Sequence, residues 1–233
     1  MTAGASQCRE KEGLTMVEDS GARMKSIVLA GLVFVCGWAV MSLEILGARI
    51  LTPFFGSDIY VWGSVIGVFL MSLAIGYFLG GKLSSRFARP GHLSAVILAA
   101  AVSVAVLPLL HERVNSAVFD LWVAESQAGE RWACLAAAMA LFLVPTTLLG
   151  MVSPYAVRLA ATEIRSVGEK AGALYAISTV GSVLGCLMTS FYFILWWHTD
   201  RILLQTAGLL GLAALLFAGL YRMRSWQEKG RCA

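Results

Sequence analysis

The sequence predicts an all-α membrane protein, a polytopic bundle of six transmembrane helices with both termini in the cytoplasm. Hydrophobic residues make up 58% of the chain and charged residues 14%, whereas charged residues are about 25% of a typical soluble domain. The apolar residues form six long runs, each close to the ~20 residues with which a helix crosses a bilayer. Lysine and arginine concentrate at one end of these runs, which predicts their orientation.

The six predicted spans form one membrane domain, residues 26–221, between two short tails. Residues 1–25 are expected to be a disordered N-terminal tail, and residues 222–233 a C-terminal tail. No polar segment reaches the roughly 40 residues that an independent core usually needs. The predicted spans cover residues 26–51, 60–81, 92–110, 132–153, 172–196 and 202–221.

The first two spans are predicted to meet at a turn on the outer side. The first span is expected to end at Thr52, because Pro53 disfavours a helical conformation in the residue before it. The second span begins with Tyr60 and Trp62, aromatic residues of the kind that gather at membrane–water interfaces.

Between the third and fourth spans, apolar residues recur at helical spacing within an otherwise polar segment. This periodicity predicts an amphipathic helix that lies flat on the outer surface. Its apolar residues are Val114, Ala117, Val118, Leu121 and Trp122.

The fourth span is expected to kink at Pro145, because proline removes a backbone hydrogen bond in mid-membrane. It is expected to end at Ser153 and Pro154, which suit the first positions of a short helix on the cytoplasmic side. The fifth span closes with Trp196 and Trp197 at the outer interface, and the sixth leads into the basic C-terminal tail.

The basic residues give the orientation of the bundle. All but four of the 18 lysines and arginines lie in the tails and in the second and fourth connections. The positive-inside rule therefore places both termini in the cytoplasm, for a multi-pass protein of the cell (inner) membrane. The net charge of +4 reflects this topology, so no nucleic-acid partner is expected. The four exceptions are Arg49, Arg113, Arg131 and Arg201.

Glu44 is an acidic side chain within the first span, and an ionisable residue at membrane depth is a functional-site hypothesis by default. It follows Ser26 by about 27 Å of helix, which places it near the outer boundary of a core about 30 Å thick. Arg49 lies about 140° around the same helix, so the two are not natural partners. A hydrated interfacial group, a substrate or proton site, and an interhelical bond all remain open for Glu44. The candidate polar site comprises Glu44, Arg49, Asp58, Tyr60, Tyr175 and Ser178.

Glycines at four-residue spacing predict close helix packing in the second and fifth spans, because they let backbones approach one another. The pairs are Gly63 with Gly67, Gly76 with Gly80, and Gly181 with Gly185.

Motifs for soluble-type catalysis are not found. The chain has no phosphate-binding loop, no glycine fingerprint of a dinucleotide site and no zinc-protease or serine-hydrolase motif. Its five cysteines fall singly, without the spacing of a disulfide framework or a metal site. We therefore predict no catalytic residue, no cofactor and no metal, and a protein that is not itself an enzyme.

Three ordered stretches resemble one family. Residues 44–86, 145–158 and 168–185 resemble the membrane domain of spermidine-synthase-like integral membrane proteins, often described as fused major-facilitator/spermidine synthases. The resemblance implies a fold like half of a major-facilitator transporter. In fused members, a soluble aminopropyltransferase-like domain follows the last span, and its catalytic carboxylates and cofactor glycines have no counterparts in this sequence.

Three functions follow as expectations. The first is a non-catalytic membrane module that anchors, or works with, a separate aminopropyltransferase-like protein on the cytoplasmic face. The alternative is a small transporter or half-transporter of a polyamine or other small solute, which a homodimer would complete. The third is a scaffold in a larger membrane complex that uses the glycine-lined helix faces. The lipid bilayer is the partner common to all three.

Overall fold

The computed structural model describes the backbone of residues 3–87, 89–122, 127–160 and 167–231, and the side chains of residue 24 and of residues 26–87, 89–122, 129–160 and 167–222. Over these residues the chain is helical and contains no strand. The helices are α1 (Ala3–Phe55), α2 (Ile59–Arg86), α3 (Pro90–Trp122), α4 (Gln127–Gly150), α5 (Val152–Ala160), α6 (Val167–Met188), α7 (Ile194–Trp196) and α8 (Thr199–Arg231). A π-helical turn, Thr189–Phe193, joins α6 to α7.

Six helical segments are long and apolar enough to cross a membrane, which confirms the all-helical, multi-pass prediction. Each contains the whole of a predicted span and extends beyond it at one or both ends, and the third extends farthest. α1 begins at Ala3, so the backbone of the expected N-terminal tail is helical from that residue. The segments are Ser26–Phe55, Ile59–Arg86, Pro90–Trp122, Gly129–Ala160, Val167–Trp196 and Thr199–Arg222.

The predicted surface helix after the third span is instead the end of α3, which continues unbroken to Trp122. A tertiary contact explains the difference. The buried Asn115 side chain donates a hydrogen bond to the carbonyl of Ile50, 3.2 Å away, and the Phe119 ring lies 6.0 Å from that of Phe55. The side of this stretch that carries Asn115 and Phe119 therefore packs on the end of α1, whereas Leu121 and Trp122 of the predicted apolar face remain exposed.

The first span ends later than predicted, because α1 continues through Pro53 to Phe55. Thr52 remains helical, and its hydroxyl donates to the Ala48 carbonyl at 2.7 Å. The helix ends where Gly56 adopts a φ of 77°, in the left-handed region that glycine tolerates best. The Gly56 N–H then bonds the Thr52 carbonyl at 2.9 Å, which closes the last turn.

The fourth span divides near the predicted position. α4 ends at Gly150 and α5 starts at Val152, so Ser153 and Pro154 lie in the first turn of α5. Pro145 lies within α4, and the Met151 N–H bonds the Thr147 carbonyl at 3.1 Å where the two helices join.

Helix pairing repeats between the two halves of the bundle. α1 packs along α6, and α2 packs along α4. α3 packs against α4 and α8, and α8 also contacts α1. Exchanging the first three spans with the last three converts the α1–α6 pair into the α2–α4 pair and the α3–α4 pair into the α1–α8 pair, and it leaves the α3–α8 pair unchanged. The six spans thus form two sets of three helices with equivalent contacts.

The core lies among α1, α2, α3, α4 and α8, where residues such as Leu43, Phe69 and Phe142 are buried. The Phe69 and Phe142 rings lie 5.5 Å apart between α2 and α4. The segment that contains α6 is different, because only 17% of its most apolar window is buried, against 39–50% in the other spans. α6 therefore joins the bundle through one narrow stripe and leaves its remaining surface uncovered by the described chain.

Candidate functional site

Two glycines allow α2 to lie directly against α4. A Cβ atom at Gly80 would come within 2.6 Å of the Met151 carbonyl oxygen, and one at Gly76 would overlap the carbonyl of Thr147. Backbone atoms cannot move aside as a flexible side chain can. Both positions therefore require glycine for the helices to approach this closely.

A matching seam joins α6 to α1. A Cβ atom at Gly185 would lie 2.5 Å from the Trp38 carbonyl oxygen, and one at Gly181 would overlap the carbonyl of Phe34. The Ser182 hydroxyl crosses the same seam and donates to the Gly37 carbonyl at 3.1 Å.

Gly63 and Gly67 do not pack against another helix in the described part of the chain. Both lie on the exposed side of α2, and a Cβ at either position would meet nothing within 4 Å. Four-residue spacing permits close packing, but the facing helix decides whether it occurs.

Glu44 is half-buried on α1, and no described residue forms a hydrogen bond or an ion pair with it. Arg49 is exposed and does not pair with it either. The sequence left open an interhelical bond for Glu44, and in the described part of the chain Glu44 has no partner for such a bond.

The direction of Glu44 follows from its neighbours on the helix. Gly37 packs on Ser178 of α6, whereas Gly47 packs on Phe142 of α4 and Val65 of α2. At about 100° per residue, Glu44 lies between these two faces, about 20° from Gly37 and about 60° from Gly47. Its side chain therefore leaves α1 between the face that packs on α6 and the face that packs on α4 and α2.

The structure brings Ser178 to the same side of α1 as Glu44 but not to the same depth. Ser178 faces Gly37, which precedes Glu44 by seven residues, or about 10 Å along the helix axis. Farther from Glu44 than Ser178, Tyr175 of α6 is half-exposed, as is Tyr77 of α2. The face between α2 and α6, with α1 behind it, thus carries one carboxyl and several hydroxyl groups; we call it the Glu44 face.

Tyr60 and Asp58 belong to a different place. The Tyr60 hydroxyl lies 2.6 Å from the Phe55 carbonyl oxygen and 2.9 Å from a carboxyl oxygen of Glu130. It therefore connects the end of α1, the start of α2 and the start of α4. Asp58 is exposed at the N-cap of α2 and its side chain makes no capping bond.

Glu130 is a residue that the sequence analysis missed. It lies just before the predicted start of the fourth span. One helical turn further into the bundle, Ser64 of α2 and Cys134 of α4 are both buried. The spacing of the polar residues could have indicated these two helix faces. Tyr60 and Ser64 are four residues apart on α2, and Glu130 and Cys134 are four residues apart on α4.

The opposite end of the bundle is basic and is organised by one buried tyrosine. The side chain of Tyr155 on α5 is fully buried. Its hydroxyl donates to the Phe87 carbonyl and accepts from the Arg89 N–H, with an oxygen–nitrogen distance of 3.2 Å. Three exposed arginines surround this connection: Arg86, Arg89 and Arg158. We call this surface the basic end.

Metal ligands do not cluster in the described residues, where no group of three or more His, Cys, Asp or Glu side chains could hold an ion. The candidate polar residues thus divide into the Glu44 face, with Glu44, Tyr175 and Ser178, and the Tyr60 end, with Asp58 and Tyr60. Arg49 is exposed on α1 apart from both.

Comparison with known proteins gave no match: no family model, no curated protein and no solved structure is similar to this chain.

Proposed function

We propose that this chain is a non-catalytic membrane module that holds an aminopropyltransferase-like enzyme at the cytoplasmic face of the inner membrane. The observation that carries the proposal is the basic end, where Tyr155 ties α5 to the connection between α2 and α3. The resemblance of three sequence stretches to spermidine-synthase-like membrane domains names the class of partner. The positive-inside rule supports a cytoplasmic position for this end.

The geometry of the basic end suits a docking surface. Arg86, Arg89 and Arg158 are exposed, and the bonds of Tyr155 hold the backbone that carries two of them. A surface ordered before binding loses less conformational entropy when the partner arrives. Exposed charges of one sign also accelerate the encounter with an acidic surface and make it dependent on salt.

A binding experiment in detergent tests this proposal. The purified protein is immobilised and exposed to a purified aminopropyltransferase-like enzyme from the same cell, beside an unrelated six-span membrane protein of similar net charge. We expect the enzyme to be retained on this protein and released by raised salt. Equal retention on both proteins would remove the main support for the proposal.

A second candidate function is favoured by the Glu44 face. A half-buried carboxyl without a described partner is suited to a cationic solute, since a charge at membrane depth needs a counter-charge. Tyr77 and Tyr175 are half-exposed on the flanking helices, and aromatic rings attract ammonium groups. The repeated pairing of three spans with three supports the expected likeness to half a major-facilitator unit, in which two repeats of three helices are nested.

This candidate function is a half-transporter of a polyamine or another small cation, with two copies supplying two Glu44 carboxyls. Uptake of labelled polyamine into proteoliposomes tests it with Glu44→Gln and, as a matched loss of one carboxyl, Glu112→Gln at an exposed position of α3. We expect uptake to fall at least tenfold with Glu44→Gln, if the ion pair contributes about 1.4 kcal/mol or more. Equal uptake by both variants would exclude Glu44 from the mechanism.

A further inference from the structure

The basic end lies where three of the membrane-spanning segments end. The second segment ends at Arg86 and the third begins at Pro90, so residues 87–89 alone connect them. A connection this short stays close to the membrane surface, because three residues reach at most about 11 Å. Arg158 lies in the last turn of α5, near the end of the fourth segment. All three arginines of the basic end are therefore at the level of lipid headgroups.

Tyr155 brings the parts of the chain that carry these arginines together. Its hydroxyl bonds the backbone of Phe87 and of Arg89, so α5 lies directly against the connection between α2 and α3. Arg86 precedes Phe87 in the chain, and Arg158 follows Tyr155 by slightly less than one helical turn. The bonds of one buried side chain thus hold three positive charges on neighbouring stretches of backbone.

These positive charges are not balanced by the described part of the protein. None of the three arginines forms an ion pair with a described residue. In addition, α3 begins at Pro90, directly after Arg89, and the N-terminal end of a helix carries a partial positive charge of its own. The basic end therefore favours an anion. Arginine suits a phosphate in particular, because its guanidinium group forms two parallel hydrogen bonds to phosphate oxygens.

An exposed aromatic ring indicates which kind of phosphate fits. Phe87 lies between Arg86 and Arg89 in the chain, and half of it is exposed. A soluble phosphate has no part that gains from an apolar ring, whereas a phospholipid carries acyl chains directly below its phosphate. Basic residues at the ends of membrane spans are also known to recognise anionic headgroups.

We propose that the basic end binds an anionic phospholipid, with Arg86, Arg89 and Arg158 on the phosphate and Phe87 against the acyl chains. This inference goes beyond the proposed enzyme-holding function and does not depend on which side of the membrane the basic end occupies. Because the proposed enzyme uses the same arginines, lipid and enzyme compete for this surface.

Native mass spectrometry of the whole protein in detergent, without enzyme, tests the proposal. The protein is freed of lipid and mixed with equal amounts of phosphatidylglycerol and phosphatidylcholine. We expect the wild type to retain phosphatidylglycerol in preference, because this lipid alone carries a net negative charge. The variant Arg86→Gln, Arg89→Gln, Arg158→Gln should bind phosphatidylglycerol about tenfold or more weakly, and its binding of phosphatidylcholine should not change.

The matched control removes three positive charges at the opposite end of the bundle. The variant Arg49→Gln, Arg113→Gln, Arg131→Gln should retain phosphatidylglycerol as the wild type does. An equal loss in both triple variants would overturn the proposal, since it would show a general effect of charge. Unchanged binding in both would overturn it as well, because the arginines of the basic end would then not hold the lipid.

Two further results would contradict the inference. One is displacement of phosphatidylglycerol by an equal concentration of glycerophosphoglycerol, its headgroup without acyl chains, because the ligand would then be a soluble phosphate ester. The other is equal retention of the two lipids by the wild type, which decides the question even if the basic-end variant does not fold. A failure of the enzyme to bind in detergent leaves these results unaffected, so the two proposals fail separately.

Discussion

At the scale of single residues, two tyrosines connect helix ends on opposite sides of the bundle. Tyr155 holds the connection after α2 through the Phe87 carbonyl and the Arg89 N–H, and Tyr60 holds the end of α1 through the Phe55 carbonyl. Each side chain supplies a hydrogen bond to backbone groups that a helix end leaves without an intrahelical partner. Both ends of the bundle therefore depend on a phenol oxygen that sequence patterns do not reveal.

Removing one oxygen atom at Tyr155 should destabilise the protein. Tyr155→Phe removes one hydrogen-bond partner from the Phe87 carbonyl and from the Arg89 N–H, which also bond each other at 2.7 Å, so we expect a loss of about 0.5–1.5 kcal/mol. Thermal unfolding in detergent measures the effect. Tyr221→Phe, which changes an exposed tyrosine on α8, is the matched control and should unfold like the wild type. Equal transition temperatures for all three proteins would contradict this assignment.

At the scale of helices, two glycine seams determine which spans touch. Gly76 and Gly80 seat α2 on α4, and Gly181 and Gly185 seat α6 on α1. Lipid is as apolar as the side chains, so close van der Waals packing and hydrogen bonds, more than burial from water, hold these helices together. The α1–α6 seam is the main packing contact of α6, because α6 has little other buried surface.

Replacing single glycines by alanine should show whether the four-residue spacing of glycines or their contact with a facing helix determines stability. Gly80→Ala places a Cβ 2.6 Å from the Met151 carbonyl oxygen, which we expect to cost about 1–3 kcal/mol of stability as the backbone shifts. Gly63→Ala has the same spacing motif but meets nothing within 4 Å, so it should be neutral or stabilising by up to about 1 kcal/mol through helix propensity. Unfolding in detergent compares them. Equal destabilisation by both variants would show that the seam does not decide stability.

The boundary between what could and could not be predicted lies at tertiary contacts. Hydropathy located all six spans, because a bilayer requires long apolar helices whatever their neighbours are. The extended α3 was not predictable, since the partner of Asn115 is the Ile50 carbonyl on another helix. In the same way, no pattern on one helix distinguishes Gly63 from Gly80, because the difference is the presence of a facing backbone.

The candidate site shows the same boundary. Glu44 was predictable from a carboxyl inside an apolar run, and the structure adds its direction, between the face of α1 that packs on α6 and the face that packs on α4 and α2. The division of the polar residues into two places was not predictable, because Tyr60 and Glu130 are far apart in the chain and meet only through the contact of α2 with α4. A single sequence reveals a residue whose type is unusual for its own segment, such as Glu44. It does not reveal residues, such as Tyr60 and Glu130, whose role depends on a contact with another helix.

At the scale of the whole molecule, the two ends of the bundle carry different polar side chains. The basic end carries Arg86, Arg89 and Arg158, whereas the Tyr60 end carries a carboxyl held by a tyrosine. The positive-inside rule predicts that the basic end is cytoplasmic.

Labelling tests this orientation. After replacement of the native Cys8 and Cys232 by serine, Arg89→Cys should react with a membrane-impermeant thiol reagent in inside-out vesicles only. Ile59→Cys, which is exposed at the start of α2, should react in right-side-out vesicles only. The opposite result would invert the proposed topology.

The most direct test of the central claim is the affinity of the protein in nanodiscs for an aminopropyltransferase-like enzyme, measured with charge reversal at each end. The variant Arg86→Glu, Arg89→Glu, Arg158→Glu should lose affinity by about tenfold or more, because like charges across an interface repel. The variant Arg49→Glu, Arg113→Glu, Arg131→Glu has the same change of charge at the opposite end of the bundle and should bind as the wild type does. Equal affinity for all three proteins, or an equal loss in both variants, would contradict the claim that the basic end holds the enzyme.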